Sequence, residues 1–163
     1  MSLLVVEVGD CKVSNDPECA LVTYGLGSCI AVTIHDRVAG VGGLLHFMLP
    51  ESGLDAARAQ QNPFLFADTG IPLLFQIACQ LGAEKGRLVL AAAGGAQMMD
   101  ERGVFNIGGR NYLAMRKVLR DAGVVLQAED VGGMASRTVR LEVGSGRVAL
   151  CAGGEWVAME KAV

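Results

Sequence analysis

The chain is poor in the features that mark the specialised protein classes. Only 19% of its residues are charged, against 52% hydrophobic. That balance excludes intrinsic disorder, which needs low hydrophobicity and high charge. Basic residues are in deficit, 14 against 17 acidic, for a net charge of −3. No basic surplus or stripe is present, so nucleic acid is not an expected partner. Long hydrophobic runs are absent too. The smoothest apolar stretch, Leu88 to Ala96, contains Gly94 and Gly95 and falls well short of the roughly 18 residues a bilayer crossing requires. Membrane insertion is not expected. Met1 to Asp10 holds Glu7 and Asp10 but no basic residue, so a secretory leader is not expected, and the expected compartment is the cytoplasm. Proline is scarce, at 4 residues, and aromatics make up 5%. The five cysteines (Cys11, Cys19, Cys29, Cys79 and Cys151) form no Cys-x-x-Cys pair. An odd count without that spacing argues against both a disulfide framework and a structural zinc site.

Glycine is abundant, 22 of 163 residues and roughly twice the usual ~7% share. Without a Gly-X-Y period it reads as tight turns between short strands. The length suits one domain spanning residues 1–163. Strands are expected at Leu3 to Val8, Ala20 to Tyr24, Cys29 to Ile34 and Val41 to Phe47, the last two forming a hairpin. Pro50 to Pro63 reads as a long surface loop with a helical turn near Leu54 to Ala59. A helix is expected up to Leu81, capped by Asp68 or Thr69, with Pro72 in its first turn and Gly82 as its stop. Arg87 to Ala93 reads as a buried strand. A second helix follows, Arg110 to Ala122, with Tyr112, Met115, Leu119 and Ala122 as its apolar stripe. Val124 to Ala128 and a hairpin of Arg137 to Val143 with Arg147 to Cys151 complete the chain. Strands outnumber helices, which interrupt them only twice. The expected class is α+β: mixed or antiparallel sheets with two main helices packed outside.

Histidine is rarer still, with only His35 and His46 present. If the hairpin turn centres between Arg37 and Val38, Cys29 lies directly opposite His46, on one sheet face, with Cβ atoms about 4.5–5.5 Å apart. His35 sits at the turn end, about 20 Å along the strand from Cys29. His46 is therefore the base available to Cys29. Gly25-Leu26-Gly27-Ser28 enters the strand through a glycine-rich turn that can present the backbone N–H groups of Gly27, Ser28 and Cys29 as an oxyanion hole. A neighbouring imidazolium would lower the thiol's pKa. Thr23 lies just upstream, where its oxygen can accept the other imidazole N–H, the third role of a catalytic triad. Spacing alone leaves core packing as an alternative for each of these residues. The other four cysteines have no histidine placed to activate them.

These residues carry a family resemblance. Thr23-Tyr24-Gly25-Leu26-Gly27-Ser28-Cys29-Ile30-Ala31-Val32, followed by Gly42-Gly43-Leu44-Leu45-His46-Phe47-Met48-Leu49-Pro50, resembles the CheD chemoreceptor glutamine deamidases. Further matches are Ala67 to Leu74, Gly94-Gly95-Ala96 with Met98, Ile107-Gly108 with Arg110-Asn111, and Asp130 to Gly133 with Arg137. The resemblance implies a triad of Cys29 as nucleophile, His46 as base and Thr23 as orienting residue. It implies a β-sandwich-like core with helices packed on it, similar to cysteine-based toxin deamidases. No cofactor and no metal is implied. The implied activity is deamidation of glutamine in chemoreceptor cytoplasmic domains, with the CheC phosphatase as a further partner. The alternative is a non-enzymatic regulator that binds CheC. The chain departs from the family pattern at Ala91-Ala92-Ala93 and at Met99, in a region linked to partner docking.

Overall fold

The computed structural model describes residues 1–97 and 105–159. Its strands are β1 (Ser2–Val5), β2 (Asp10–Ser14), β3 (Cys19–Leu26), β4 (Ile30–Asp36), β5 (Val41–Phe47), β6 (Val89–Gly94), β7 (Leu126–Val131), β8 (Arg137–Glu142), β9 (Val148–Cys151) and β10 (Trp156–Ala158). Its α-helices are α1 (Ala56–Gln61), α2 (Ala67–Gln80) and α3 (Ile107–Ala122). One sheet runs β1-β3-β8-β9-β10 and the other β2-β5-β4-β6-β7. Only β1–β3 and β6–β7 pair in parallel. The α+β class expected from the sequence is the class observed.

The second sheet is the middle layer, which explains its composition. Every residue of β4 and β5 is buried. Alternate residues then serve two interfaces. Ile30, Val32, Ile34, Leu45 and Phe47 pack with Ile71, Leu74 and Ala78 of α2 and with Met115 and Leu119 of α3. Ala31 and Leu44 point the other way and pack with Leu21, Leu26, Val139 and Leu141 of the first sheet. A fully buried Phe47 or Leu45 side chain stabilises the fold by about 1.5–3 kcal/mol each. The α2 stripe of Ala67, Ile71, Leu74, Phe75 and Ala78 follows the helical period and covers the outer face.

Several boundaries differ from the sequence reading, each for a local reason. The first strand breaks at Val6 to Gly9, and β2 turns back to pair with β5. Neither Asp68 nor Thr69 caps α2. The helix starts earlier, at Ala67, with Phe66 preceding it. Asp68 instead accepts from the Ser52 backbone N–H (2.9 Å) and hydroxyl (2.8 Å), and the Thr69 hydroxyl donates to the Pro63 carbonyl (2.5 Å). Pro72 consequently lies inside the helix rather than in its first turn. The expected loop contains α1, and β10 is a strand the sequence reading did not include. Ala91, Ala92 and Ala93, the departure from the family pattern, are buried within β6 and present no docking surface. Met98 and Met99 lie outside the described residues.

Candidate active site

The β4–β5 hairpin sets the site. Its register pairs Ala31 with His46 and Ile30 with Phe47. Cys29 therefore stands diagonally across from His46, two residues from the position directly opposite that the sequence arithmetic assigned. The cause lies at the other end. Asp36 accepts from the Val38 and Ala39 backbone N–H groups, so the strand extends to Asp36 and the turn begins after it. A shift of two preserves parity, so both residues belong to the face turned toward the first sheet. Diagonal neighbours lie about 7–8 Å apart at Cα, within reach of an imidazole.

Cys29 is held at the margin of the middle sheet. Its carbonyl accepts from the Gly95 N–H (2.8 Å), and the Gly27 carbonyl from the Ala96 N–H (2.8 Å). Gly94 adopts φ +118, and a Cβ there would collide with the Cys29 carbonyl oxygen. Only glycine fits this crossing. Among the described residues, the N–H groups of Ser28 and Cys29 donate to no other backbone carbonyl. Gly27, Ser28 and Cys29 are all half-buried.

His46 and Thr23 come from different sheets. Thr23 on β3 donates its single hydroxyl proton to the Val6 carbonyl (2.6 Å). The same oxygen lies 2.7 Å from His46 Nδ1. With its proton committed to Val6, Thr23 can only accept, so Nδ1 carries the proton and Nε2 presents a lone pair. That Nε2 is buried and has no hydrogen-bond partner among the described residues. Burial pushes the imidazole pKa down from 6.5 to about 4, so the ring is neutral at pH 7. Burial also pushes the Cys29 thiol up, partly offset by a hydrogen bond from its own backbone N–H. The pair therefore rests as thiol and neutral imidazole without a hydrogen bond between them. This corrects the expectation of a cysteine already lowered by an imidazolium; exclusion of water from the inter-sheet space is the reason.

The other candidates fall away from this site. His35 is buried and its Nε2 hydrogen-bonds the Val143 carbonyl (2.8 Å). Cys11 is pushed up to about 12, first by burial and then by the Asp10 charge. Cys19 is buried and Cys79 exposed. Among the described residues, no three His, Cys, Asp or Glu side chains are grouped to hold a metal ion.

Residues 48–151 match the family model described as CheD chemotactic sensory transduction. A Solibacter usitatus protein named "Probable chemoreceptor glutamine deamidase CheD" is 55% identical over 155 residues, covering 95% of this chain and 92% of that protein. An Anaeromyxobacter dehalogenans relative of the same name, numbered 2, is 52% identical over 95% of this chain and 98% of its own length. A Pyrococcus horikoshii relative, also of that name, is 41% identical over 91% of each chain. The chain belongs to the CheD family.

The CheD model match begins after the hairpin, at Met48, so Thr23, Cys29 and His46 precede it; the 155-residue alignments extend over nearly the whole chain. Within the matched segment, two side chains that the sequence reading gave no role organise the site's surroundings. Arg137, 7% exposed, donates from Nη2 to the Gly132 carbonyl (2.8 Å) and from Nη1 to the Gly94 carbonyl (3.3 Å), and pairs with Asp130 (3.0 Å). Asn111 of α3, 0% exposed, donates from Nδ2 to the Ser28 carbonyl (2.9 Å) and the Met48 carbonyl (2.9 Å). A signal for Asn111 was present: it stands four residues before Met115 and eight before Leu119, on the core-facing stripe. A cavity of about 640 Å³ lies elsewhere, between α2 and α3, and is lined by Pro72, Phe75, Lys117 and Val118 among others.

Proposed function

We propose that this chain is a cysteine-dependent protein-glutamine deamidase that converts glutamine side chains of chemoreceptor cytoplasmic domains to glutamate, releasing ammonia. The observation that carries the mechanism is His46: one ring nitrogen is tied to Thr23, and the other is a buried lone pair without a partner among the described residues. Leaving a buried acceptor unmet costs about 1–3 kcal/mol. A base awaiting a proton accounts for that cost.

In this reading the Cys29 S–H proton passes to His46 Nε2 as sulfur attacks the γ-carboxamide carbon. Because the resting thiol is neutral, proton transfer accompanies attack rather than preceding it. The oxyanion takes hydrogen bonds from N–H groups of the Gly27–Ser28–Cys29 turn; one such donor is typically worth about 3 kcal/mol in the transition state. His46 then gives its proton to the departing nitrogen, the C–N bond breaks, and ammonia leaves a γ-glutamyl thioester. His46 removes a proton from water, which attacks the thioester carbonyl; the C–S bond breaks, and the proton returns to sulfur. Thr23 keeps the ring in the required tautomer. No step calls on a metal or cofactor.

Support for chemoreceptors as substrate comes from the names of the relatives. The reading sets the activity in the cytoplasm, where receptor signalling domains lie; among the described residues no helix is long and apolar enough to cross a membrane. A CheC-type phosphatase is the further partner the family resemblance suggests. The test is incubation with a glutamine-containing receptor fragment, following ammonia release and the mass change of amide to acid. Cys29→Ala should lose activity by about 10⁴-fold or more. Retained activity in that variant removes Cys29 from the mechanism.

A further inference from the structure

We infer that Asn111 is a positioning residue of the oxyanion hole: by holding the Ser28 carbonyl it aims the Cys29 N–H at the reacting centre. The inference rests on the deamidase reading for its role, and on geometry for its existence.

Both N–H groups of the Asn111 side chain are spent on main-chain carbonyls, those of Ser28 and Met48. Ser28 C=O and Cys29 N–H belong to one peptide group, and no peptide bond among the described residues is cis. In a trans peptide the two bonds point in opposite directions. Drawing the carbonyl toward α3 therefore turns the N–H away from α3. The same N–H works against the burial that raises the Cys29 thiol. The second carbonyl, Met48, lies two residues beyond His46. One amide thus links the turn that bears the nucleophile to the strand that bears the base.

The side chain's other end identifies the purpose. Asn111 Oδ1 is buried without a hydrogen-bond partner among the described residues. A core position filled for stability would favour an apolar residue such as those at Met115 and Leu119, which share its helix face. An asparagine with a stranded oxygen is retained here for its two donors.

The experiment compares the full-length wild type with Asn111→Ala and Asn111→Asp. Asp has the same shape but offers acceptors where donors are needed. Two readouts are taken: kcat and KM on the receptor fragment, and the pH profile of Cys29 alkylation by iodoacetamide. The expected result is a kcat loss of about 10²-fold with KM changed less than ~3-fold, the loss larger in Asp than in Ala. The alkylation midpoint should move to higher pH in both. A folded Asn111→Ala protein with wild-type kcat and an unmoved midpoint overturns the inference. If the variants do not fold, the Asn111 side-chain amide protons of the wild type decide. Slow exchange with solvent supports the paired geometry, and exchange as fast as at an exposed asparagine overturns it. If the wild type deamidates nothing, the deamidase reading fails, while the alkylation profile still decides whether Asn111 controls the Cys29 N–H.

Discussion

The two ends of the β4–β5 hairpin, about 20 Å apart along seven residues, are built on opposite principles. At the turn end no buried side-chain polar atom is left unpaired among the described residues. Asp36 accepts from Val38 N–H (2.9 Å), Ala39 N–H (3.0 Å) and Glu84 N–H (2.8 Å), and pairs with Arg87 (2.9 Å). Burial alone would raise its pKa. The Arg87 hydrogen bonds, the Ala39 and Glu84 backbone N–H groups and the Arg87 charge together hold it well below the usual carboxylate range. His35, beside it, is satisfied by Val143. At the open end the thiol is pushed up, and among the described residues His46 Nε2 and Asn111 Oδ1 have no partner. The same strands supply both ends, so strand chemistry does not make the difference. One end is completed by protein groups; the other, in the deamidase reading proposed above, keeps the His46 lone pair for the reaction.

Removing a group from each end should separate stability from activity. Asp36→Ala leaves Arg87 without its partner and the turn without its acceptor. Unfolding in denaturant should show a loss of about 3 kcal/mol or more, with the kcat of the folded fraction unchanged. A fall in kcat that matches the stability loss would mean the ends are not independent.

The ends should also titrate in separate windows. The His46 pKa falls from 6.5 unfolded to about 4 folded, so the unfolded chain binds the proton more readily across that interval. Stability contributed by the neutral ring is complete above pH 6.5 and is lost as pH drops toward 4, by up to roughly 3 kcal/mol. Asp36, with a folded pKa below its ordinary 3.8, loses its contribution only in more acid solution. Melting temperature against pH should show two falls, and His46→Gln should abolish the upper one alone. An upper fall that persists in His46→Gln assigns it to another group.

The smallest of these effects is expected at Thr23. Thr23→Val removes the acceptor for His46 Nδ1–H and the donor to Val6 while keeping the shape. A kcat loss of about 10–100-fold should follow, and Thr23→Ser should recover most of it. Equal kcat in Val and wild type would show that the tautomer is held by something else.

How far the site was legible depends on which kind of contact made it. Cys29 and His46 share a strand face by parity, and parity survived an error of two in the turn. The error arose because the turn was centred between Arg37 and Val38, whereas Asp36 pairs with Val41, its carboxylate ends the strand and Gly40, at φ +69, closes the loop. The Thr23–His46 bond crosses between sheets, so no register argument within the hairpin could establish it. Spacing offered only that Thr23 was upstream and polar. The thiol's raised pKa and the low imidazole pKa follow from burial, which depends on how the layers stack. Asn111 was visible as a polar residue on an apolar stripe, but its targets, Ser28 and Met48, are brought to it only by the placement of α3 on the middle sheet.

The tether from Thr23 to His46 gives the sandwich a mechanical sensitivity. Ring and hydroxyl hang from separate layers, with ordinary apolar packing between them. Slippage of one layer past the other by about an ångström would let the imidazole rotate while the described strands stayed paired. In the reading proposed above, turnover then acts as a gauge of interlayer cohesion, and warming should silence the enzyme before it melts.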